Sequence, residues 1–264
     1  MFPDRHSTDI AIVGAGLAGV VAAIEALGRG RRVVLLDRDL EDNLGGQAKE
    51  AFGGLWFAGT PLQRQRGIRD SAELGLSDWL AFGELTPDDA WPCAWARAYV
   101  ERSVPDVHDW LADFGIRFMP MPMWVERGLY TPGNSVPRFH LVWGTGRALS
   151  DRLVGRLLEH PCRDLLELRF GHRVDALVSR AGRIAGVRGT VEPGGEAFEI
   201  ASETVVIAAG GISGDIERVR RHWQADWSRP PPVILNGSHR YADGRAHCRP
   251  VQGSRAALSG LRQG

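Results

Sequence analysis

A short apolar run that breaks into three spaced glycines constrains this chain more than any other feature. Ile10-Ala11-Ile12-Val13 reads as a buried strand, and Gly14-Ala15-Gly16-Leu17-Ala18-Gly19 follows it directly. Beyond the glycines, Leu17, Val20, Val21, Ile24 and Leu27 recur at helical spacing, and a second apolar run, Val33-Val34-Leu35-Leu36, ends at Asp37. Strand, glycine turn, helix, strand and acid in this order open a βαβ unit of the kind that holds a dinucleotide. Gly14 permits the tight turn out of the strand. Gly16 has no side chain, so a pyrophosphate can approach the backbone, and Gly19 lets the helix pack close to the strand. The helix start offers unpaired N–H groups and partial positive charge to phosphates. Asp37 can accept hydrogen bonds from both hydroxyls of an adenosine ribose.

The 264 residues leave room for one large domain or two small ones. A formal net charge of +0 rules out a global basic field for nucleic acid. Lys49 is the only lysine among 32 basic residues, which fits a GC-rich coding sequence. Cys93, Cys162 and Cys248 stand far apart without metal-ligand spacing, so no metal site is expected. Such cysteine usage fits a reducing compartment, and the expected location is cytoplasmic. The N-terminus is polar, and no apolar run approaches the ~20 residues of a membrane span.

Further along, residues 43–60 form a glycine-rich loop, and residues 70–160 read mostly as helices. Trp95, Tyr99, Val107, Trp110, Leu111 and Phe114 recur at three- and four-residue steps. Seven of the nine tryptophans fall between Trp56 and Trp143, as core packing or as an aromatic wall beside a ring-shaped ligand. Pro120, Pro122, Pro132 and Pro137 break the next segment into an ordered loop, and Leu149–Leu158 is helical again. Runs at 173–178, 184–189 and 198–200, separated by Gly182 and Gly194-Gly195, predict a small antiparallel meander. A separate apolar strand, Thr204–Ala209, ends in Gly210-Gly211. From Gly244 to Gly264 there is no acidic residue and apolar periodicity is poor.

These residues resemble the FAD-dependent oxidoreductases of the fumarate reductase, succinate dehydrogenase flavoprotein and 3-ketosteroid dehydrogenase group. The N-terminal pattern extends through Ala23, Gly30 and Val33 to Asp37, where the group more often has Glu, and Arg38 fits as the next basic residue. Leu44-Gly45-Gly46-Gln47 is similar to the group's second glycine motif, along the pyrophosphate and ribityl chain. Phe52-Gly53-Gly54 is similar to the segment passing the flavin ring, Val174 to the strand whose amides meet the adenine, and Ala208-Ala209-Gly210-Gly211 to a later glycine doublet. Tyr241-x-Asp243-Gly244 is similar to a short motif before the next helix.

The resemblance implies an α/β fold: a Rossmann-like FAD-binding domain with a parallel sheet, a helical insertion and a small antiparallel meander. It implies FAD contacts from Gly14, Ala15, Gly16, Ala18, Gly19, Asp37, Arg38, Leu44, Gly45, Gly46, Gln47, Gly53, Gly54, Val174, Ala209 and Gly210. Members of the group are about twice this length. The expectation is therefore the first part of a split FAD-binding domain over residues 1–246, without the substrate or cap domain, and an irregular or out-of-frame tail over 247–264.

The activity the resemblance implies is hydride transfer between flavin N5 and a C–C bond next to a carbonyl or acid group. The substrate would be a small carbonyl compound, a dicarboxylate or a steroid-like molecule, and the electron acceptor has no signature. The alternatives are an inactive FAD-binding fragment and an NAD(P)-dependent reductase. The group's catalytic residues come mostly from the part not present. His140 and Tyr130 are the local candidates for contact with flavin or substrate, each against an ordinary structural use.

Overall fold

The computed structural model describes residues 5–248. The chain runs through β1 (Arg5–Val13), α1 (Leu17–Gly28), β2 (Val33–Leu36), β3 (Gly54–Trp56), α2 (Pro61–Gln65), α3 (Ala72–Phe82), α4 (Ala90–Ser103), α5 (Asp109–Asp113), β4 (Phe139–Leu141), α6 (Thr145–Leu158), β5 (Leu166–Arg169), β6 (His172–Arg180), β7 (Arg183–Val191), β8 (Ala197–Ile207), α7 (Ile216–Arg221) and α8 (Arg245–Cys248). The elements gather into two compact units, one from the chain up to Gln47 and from Leu153 onward, the other from Ala48–Arg152. The expected tail over 247–264 lies almost wholly outside the described residues.

The first unit is built on one six-stranded sheet in the order β5-β2-β1-β8-β7-β6. β1 lies parallel to β2 and β8, with Ile12 opposite Leu35 on one side and Val206 on the other. Strands that pair on both sides and are covered on both faces must be apolar throughout, as Ile10–Val13 and Val33–Leu36 are. All four residues of β2 are buried. α1 buries Val20, Ala23, Ile24 and Leu27. β6, β7 and β8 form the expected antiparallel meander.

One expectation changes here. The runs at 198–200 and 204–209 are a single strand, β8, which pairs antiparallel with β7 through its first half and parallel with β1 along its length. Ala201-Ser202-Glu203 looks like a polar break, but it contains no turn-forming Gly or Pro. The buried Ser202 hydroxyl accepts the Ala11 N–H at 3.0 Å and thereby fills a gap in the ladder to β1. Ala208 and Ala209 fall beyond the strand end.

The second unit holds the β3–β4 hairpin-like pair and helices α2–α5. Thr60 starts α2 with a reciprocal cap: its hydroxyl takes the Gln63 N–H, and the Gln63 amide oxygen takes the Thr60 N–H. Of the residues that recur from Trp95 to Phe114, Leu111 is buried and Tyr99, Val107, Trp110 and Phe114 are partly buried, but Trp95 is not. Trp91 and Trp95 are 75% and 74% exposed, and α4 instead buries Ala96 and Val100. A π-helical turn over Val104–His108 puts an extra residue into the turn between α4 and α5, so one 3.6-residue period cannot run through both.

The core of this unit contains a charged group. Arg138 is wholly buried and forks onto Asp70, with Nη2 to Oδ1 at 2.8 Å and Nε to Oδ2 at 2.9 Å. Its Nη1 donates to Asp78 at 2.5 Å and to Asn134 Oδ1 at 2.8 Å. Burial works against the guanidinium charge, but the bonds to Asp70 and Asp78 more than offset it and its pKa shifts upward. Removing Asp70 leaves Nε and Nη2 of the buried guanidinium without the carboxylate they fork onto, with Asp78 its one remaining counter-charge. Asp70→Ala is therefore expected to cost about 3–5 kcal/mol of unfolding free energy, read from denaturant unfolding. A loss below about 1 kcal/mol would refute the account.

Candidate functional site: a glycine-lined trough at the sheet edge

In the first unit, the carboxyl ends of β1, β2 and β8 and the start of β6 open onto a trough of about 260 Å³. In open α/β sheets, ligands bind outside these strand ends. Of the residues expected to touch the cofactor, Gly14, Gly16, Asp37, Arg38, Gly46, Gln47, Val174, Ala209 and Gly210 line it.

Backbone segments approach one another closely here. Gly14 sits at φ +103°, and a Cβ on it would strike the Ala208 carbonyl. A Cβ on Gly46 would lie 2.9 Å from the Gly16 Cα. Gly16 is different: a Cβ there would meet nothing within 4 Å, so its missing side chain leaves open space in the trough. Gly16 also caps α1, which has no side-chain cap and no acid in its first turn. No side chain caps the N–H groups of that turn, which suits them to an anion. Open backbone and uncapped donors fit the pyrophosphate of a dinucleotide.

Asp37 braces this turn. Its Oδ2 accepts the Ala15 N–H at 2.6 Å and its Oδ1 the Asp39 N–H at 2.7 Å. Each carboxylate oxygen keeps a further lone pair for ribose hydroxyls. Ala15 is buried, and its carbonyl accepts the Gly45 N–H at 2.9 Å. Leu44 is buried behind the trough, whereas Ala18 is exposed on α1. Gly19 packs against the Gly14 carbonyl, where no Cβ would fit.

The segment 237–246 closes one side. The Gln47 side chain donates to the Gly237 carbonyl and accepts the His239 N–H at 2.8 Å. His239 Nε2 lies 2.9 Å from Asp39 Oδ2. Arg38 reaches Glu192, with Nε to Oε2 at 2.7 Å and Nη2 to Oε1 at 3.2 Å, and its Nη1 lies 3.4 Å from Asp243. Its guanidinium sits 4.3 Å from the centre of the Tyr241 ring. The Arg38 guanidinium, against the opposing effect of burial, holds the Glu192 carboxyl below its usual range. His172, Arg173, His239 and Glu192 were missed by sequence reasoning. Glu192 meets Arg38 across 154 residues, a separation no local pattern encodes.

The remaining candidates lie in the second unit. Gly53 and Gly54 lead into β3, where Gly54 faces the Phe139 ring. Tyr130 is 99% exposed, so no local packing orients its phenol. His140 is 0% exposed and sits in β4. Its Nδ1 lies 2.7 Å from the Arg138 carbonyl, which can only accept, so Nδ1 carries the proton. Nε2 takes the Thr60 hydroxyl at 2.9 Å. With both nitrogens engaged and no exposed surface, His140 has nothing free to offer a flavin or substrate. Among the described residues, no group of three or more His, Cys, Asp or Glu is placed to hold a metal. No described helix is long and apolar enough to cross a membrane.

A family model described as FAD binding domain matches residues 9–256. The chain belongs to that family of FAD-binding oxidoreductases, and its cofactor is FAD. It is 44% identical over 256 residues to a KsdD-like steroid dehydrogenase of Mycolicibacterium smegmatis, covering 90% of this chain and 46% of the relative. It is 30% identical over 220 residues to a fumarate reductase (cytochrome) of Shewanella frigidimarina, covering 82% and 35%. The fold matches a 3-ketosteroid-Δ4-(5α)-dehydrogenase from Rhodococcus jostii RHA1, solved in complex with 4-androstene-3,17-dione. The TM-score is 0.71 at 24% identity, covering 92% of this chain and 53% of that one. The chain thus spans about half the length of the curated relatives it matches.

Two predictions follow from the geometry. Gly14→Ala must force a Cβ into the Ala208 carbonyl at a left-handed position. It is expected to cost about 1–3 kcal/mol and to abolish flavin retention, read from the flavin-to-protein absorbance ratio. Gly28→Ala, whose Cβ meets nothing within 4 Å, is the control and should retain flavin. For His140, burial lowers the pKa from 6.5 to about 4 despite the bond to the Arg138 carbonyl. Above about pH 6.5 the ring is neutral folded or unfolded, and its full contribution is present. As pH falls toward about 4 only the unfolded chain takes the proton, so stability falls by up to roughly 3 kcal/mol. In His140→Gln the slope of unfolding free energy against pH across this window should flatten. An unchanged slope would count against the assignment.

Proposed function

We propose that this chain is the FAD-holding part of a dehydrogenase or reductase that moves a hydride between flavin N5 and a C–C bond beside an activating carbonyl. The observation that carries this reading is the 44% identity, over 90% of the chain, to a steroid dehydrogenase. A 3-ketosteroid is the favoured substrate class over a dicarboxylate, because identity to the fumarate reductase is 30%. When bound, FAD supplies the hydride chemistry. The chain's own residues hold and orient it: the α1 N–H groups and Gly16 take the pyrophosphate, Asp37 the ribose, and the Val174 backbone the adenine edge. The Ala208–Gly211 turn and the Gly45–Gln47 segment border the rest of the trough. In this reading the FAD-holding part ends near residue 246, inside the family match over residues 9–256.

Purified protein should be yellow. FAD, but not NAD or NADP, should raise its apparent stability, by about 2.7 kcal/mol at a hundred times the dissociation constant. Under anaerobic conditions a saturated 3-ketosteroid should bleach the flavin band, and succinate should not. Colourless protein that gains nothing from FAD would contradict the reading. Yellow protein bleached by succinate alone would replace the steroid with a dicarboxylate. Yellow protein bleached by neither would favour an inactive FAD-binding fragment.

A further inference from the structure

Arg38 poses a question of specificity. In dinucleotide-binding folds, the acid after the second strand selects a free ribose, and a nearby arginine accommodates a 2′-phosphate. This chain has both, side by side, as Asp37 and Arg38. The structure shows what the arginine is doing instead. All three of its side-chain nitrogens have acceptors: Nε and Nη2 fork onto Glu192, and Nη1 turns to Asp243. Its flat face lies over Tyr241.

Glu192 is also shared. Its Oε1 accepts from Arg173 Nη1 at 2.5 Å, and Arg173 Nε lies 3.0 Å from Asp175 Oδ1. Asp243 in turn meets Arg245 Nε at 3.1 Å. The result is an alternating row, Asp175–Arg173–Glu192–Arg38–Asp243–Arg245. Four of its members, Arg38, Arg173, Asp243 and Arg245, line the trough. Glu192 holds Arg38 and Arg173 at once, at 2.7 and 2.5 Å, whereas Asp243 reaches Arg38 only at 3.4 Å and pairs with Arg245 at 3.1 Å.

We propose that Glu192 sets the nucleotide specificity of this trough: it occupies Arg38 and Arg173, leaving neither guanidinium for a phosphate on the adenosine ribose. The inference rests on the adenosine half of FAD occupying the trough. It assigns Glu192 a positioning role, acting on the ligand through the two arginines. Each pair is a quarter exposed, so no single bond is strong. The effect comes from charge: with Glu192 neutral, Arg38 and Arg173 keep their donors and lose a shared counter-charge. Asp37 repels a 2′-phosphate before and after the change, so a difference between the two proteins isolates Glu192.

The test uses the FAD-loaded chain. ADP and adenosine 2′-phosphate 5′-diphosphate are titrated separately, and displaced flavin is followed by its recovered fluorescence. The native chain should prefer ADP. In Glu192→Gln the preference should shift toward the 2′-phosphorylated nucleotide by about threefold to tenfold. A ratio within about twofold of native overturns the proposal. So does an equal weakening of both nucleotides with the circular-dichroism spectrum unchanged, which would make Glu192 a general support. If ADP displaces no flavin from the native chain, the trough is not the adenosine site and the proposal falls with that reading. Should Glu192→Gln fail to fold, Asp243→Asn neutralises the other carboxylate on Arg38 and is held to the same ratio.

Discussion

The site depends on how closely backbone can approach backbone at the end of β1. Gly14 lies against the Ala208 carbonyl, Gly46 against the Gly16 Cα, and the Gly45 N–H bonds to the Ala15 carbonyl. Side chains would hold these segments apart. Where they meet, amide groups and open space take the place of side chains, and a pyrophosphate can be gripped by main chain alone. Asp37 locks the arrangement by taking the Ala15 N–H, which ties the end of β2 to the turn after β1.

Around this point the two units solve different problems. The first is a mostly parallel sheet whose apolar strands leave their carboxyl ends to loops, and those loops line the trough. The second stabilises a small hairpin and short helices around a buried ion cluster. Arg138, Asp70 and Asp78 are held there by geometry, and the price of loosening any one is an unpaired charge in the core. His140 belongs to that stabilising role, as its two occupied nitrogens indicate.

Local pattern made much of the fold legible before the structure. The strand–glycine–helix–strand order, the meander and the glycine doublet at Gly210 all rest on short-range periodicity and turn chemistry. The errors came where a local pattern met a long-range partner. Ser202 looked like a strand boundary because its pairing with Ala11 lies 191 residues away. Trp95 stood in a run of apolar residues at helical steps, but it lies on the exposed face of α4, before the π turn that shifts the helical phase.

By itself the sequence determined which backbone positions could bear no side chain, where an acid follows the second strand, and which runs are apolar enough to be buried on both faces. These are properties of single residues and their near neighbours. The tertiary structure alone decided that Arg38 is spent on Glu192 and Asp243, that Gln47 and His239 fasten the far side of the trough, and that His140 is sealed from solvent. Each of these depends on side chains brought together across the sheet. Whether a charge is paired or free is a matter of distance in space, which residue spacing does not record.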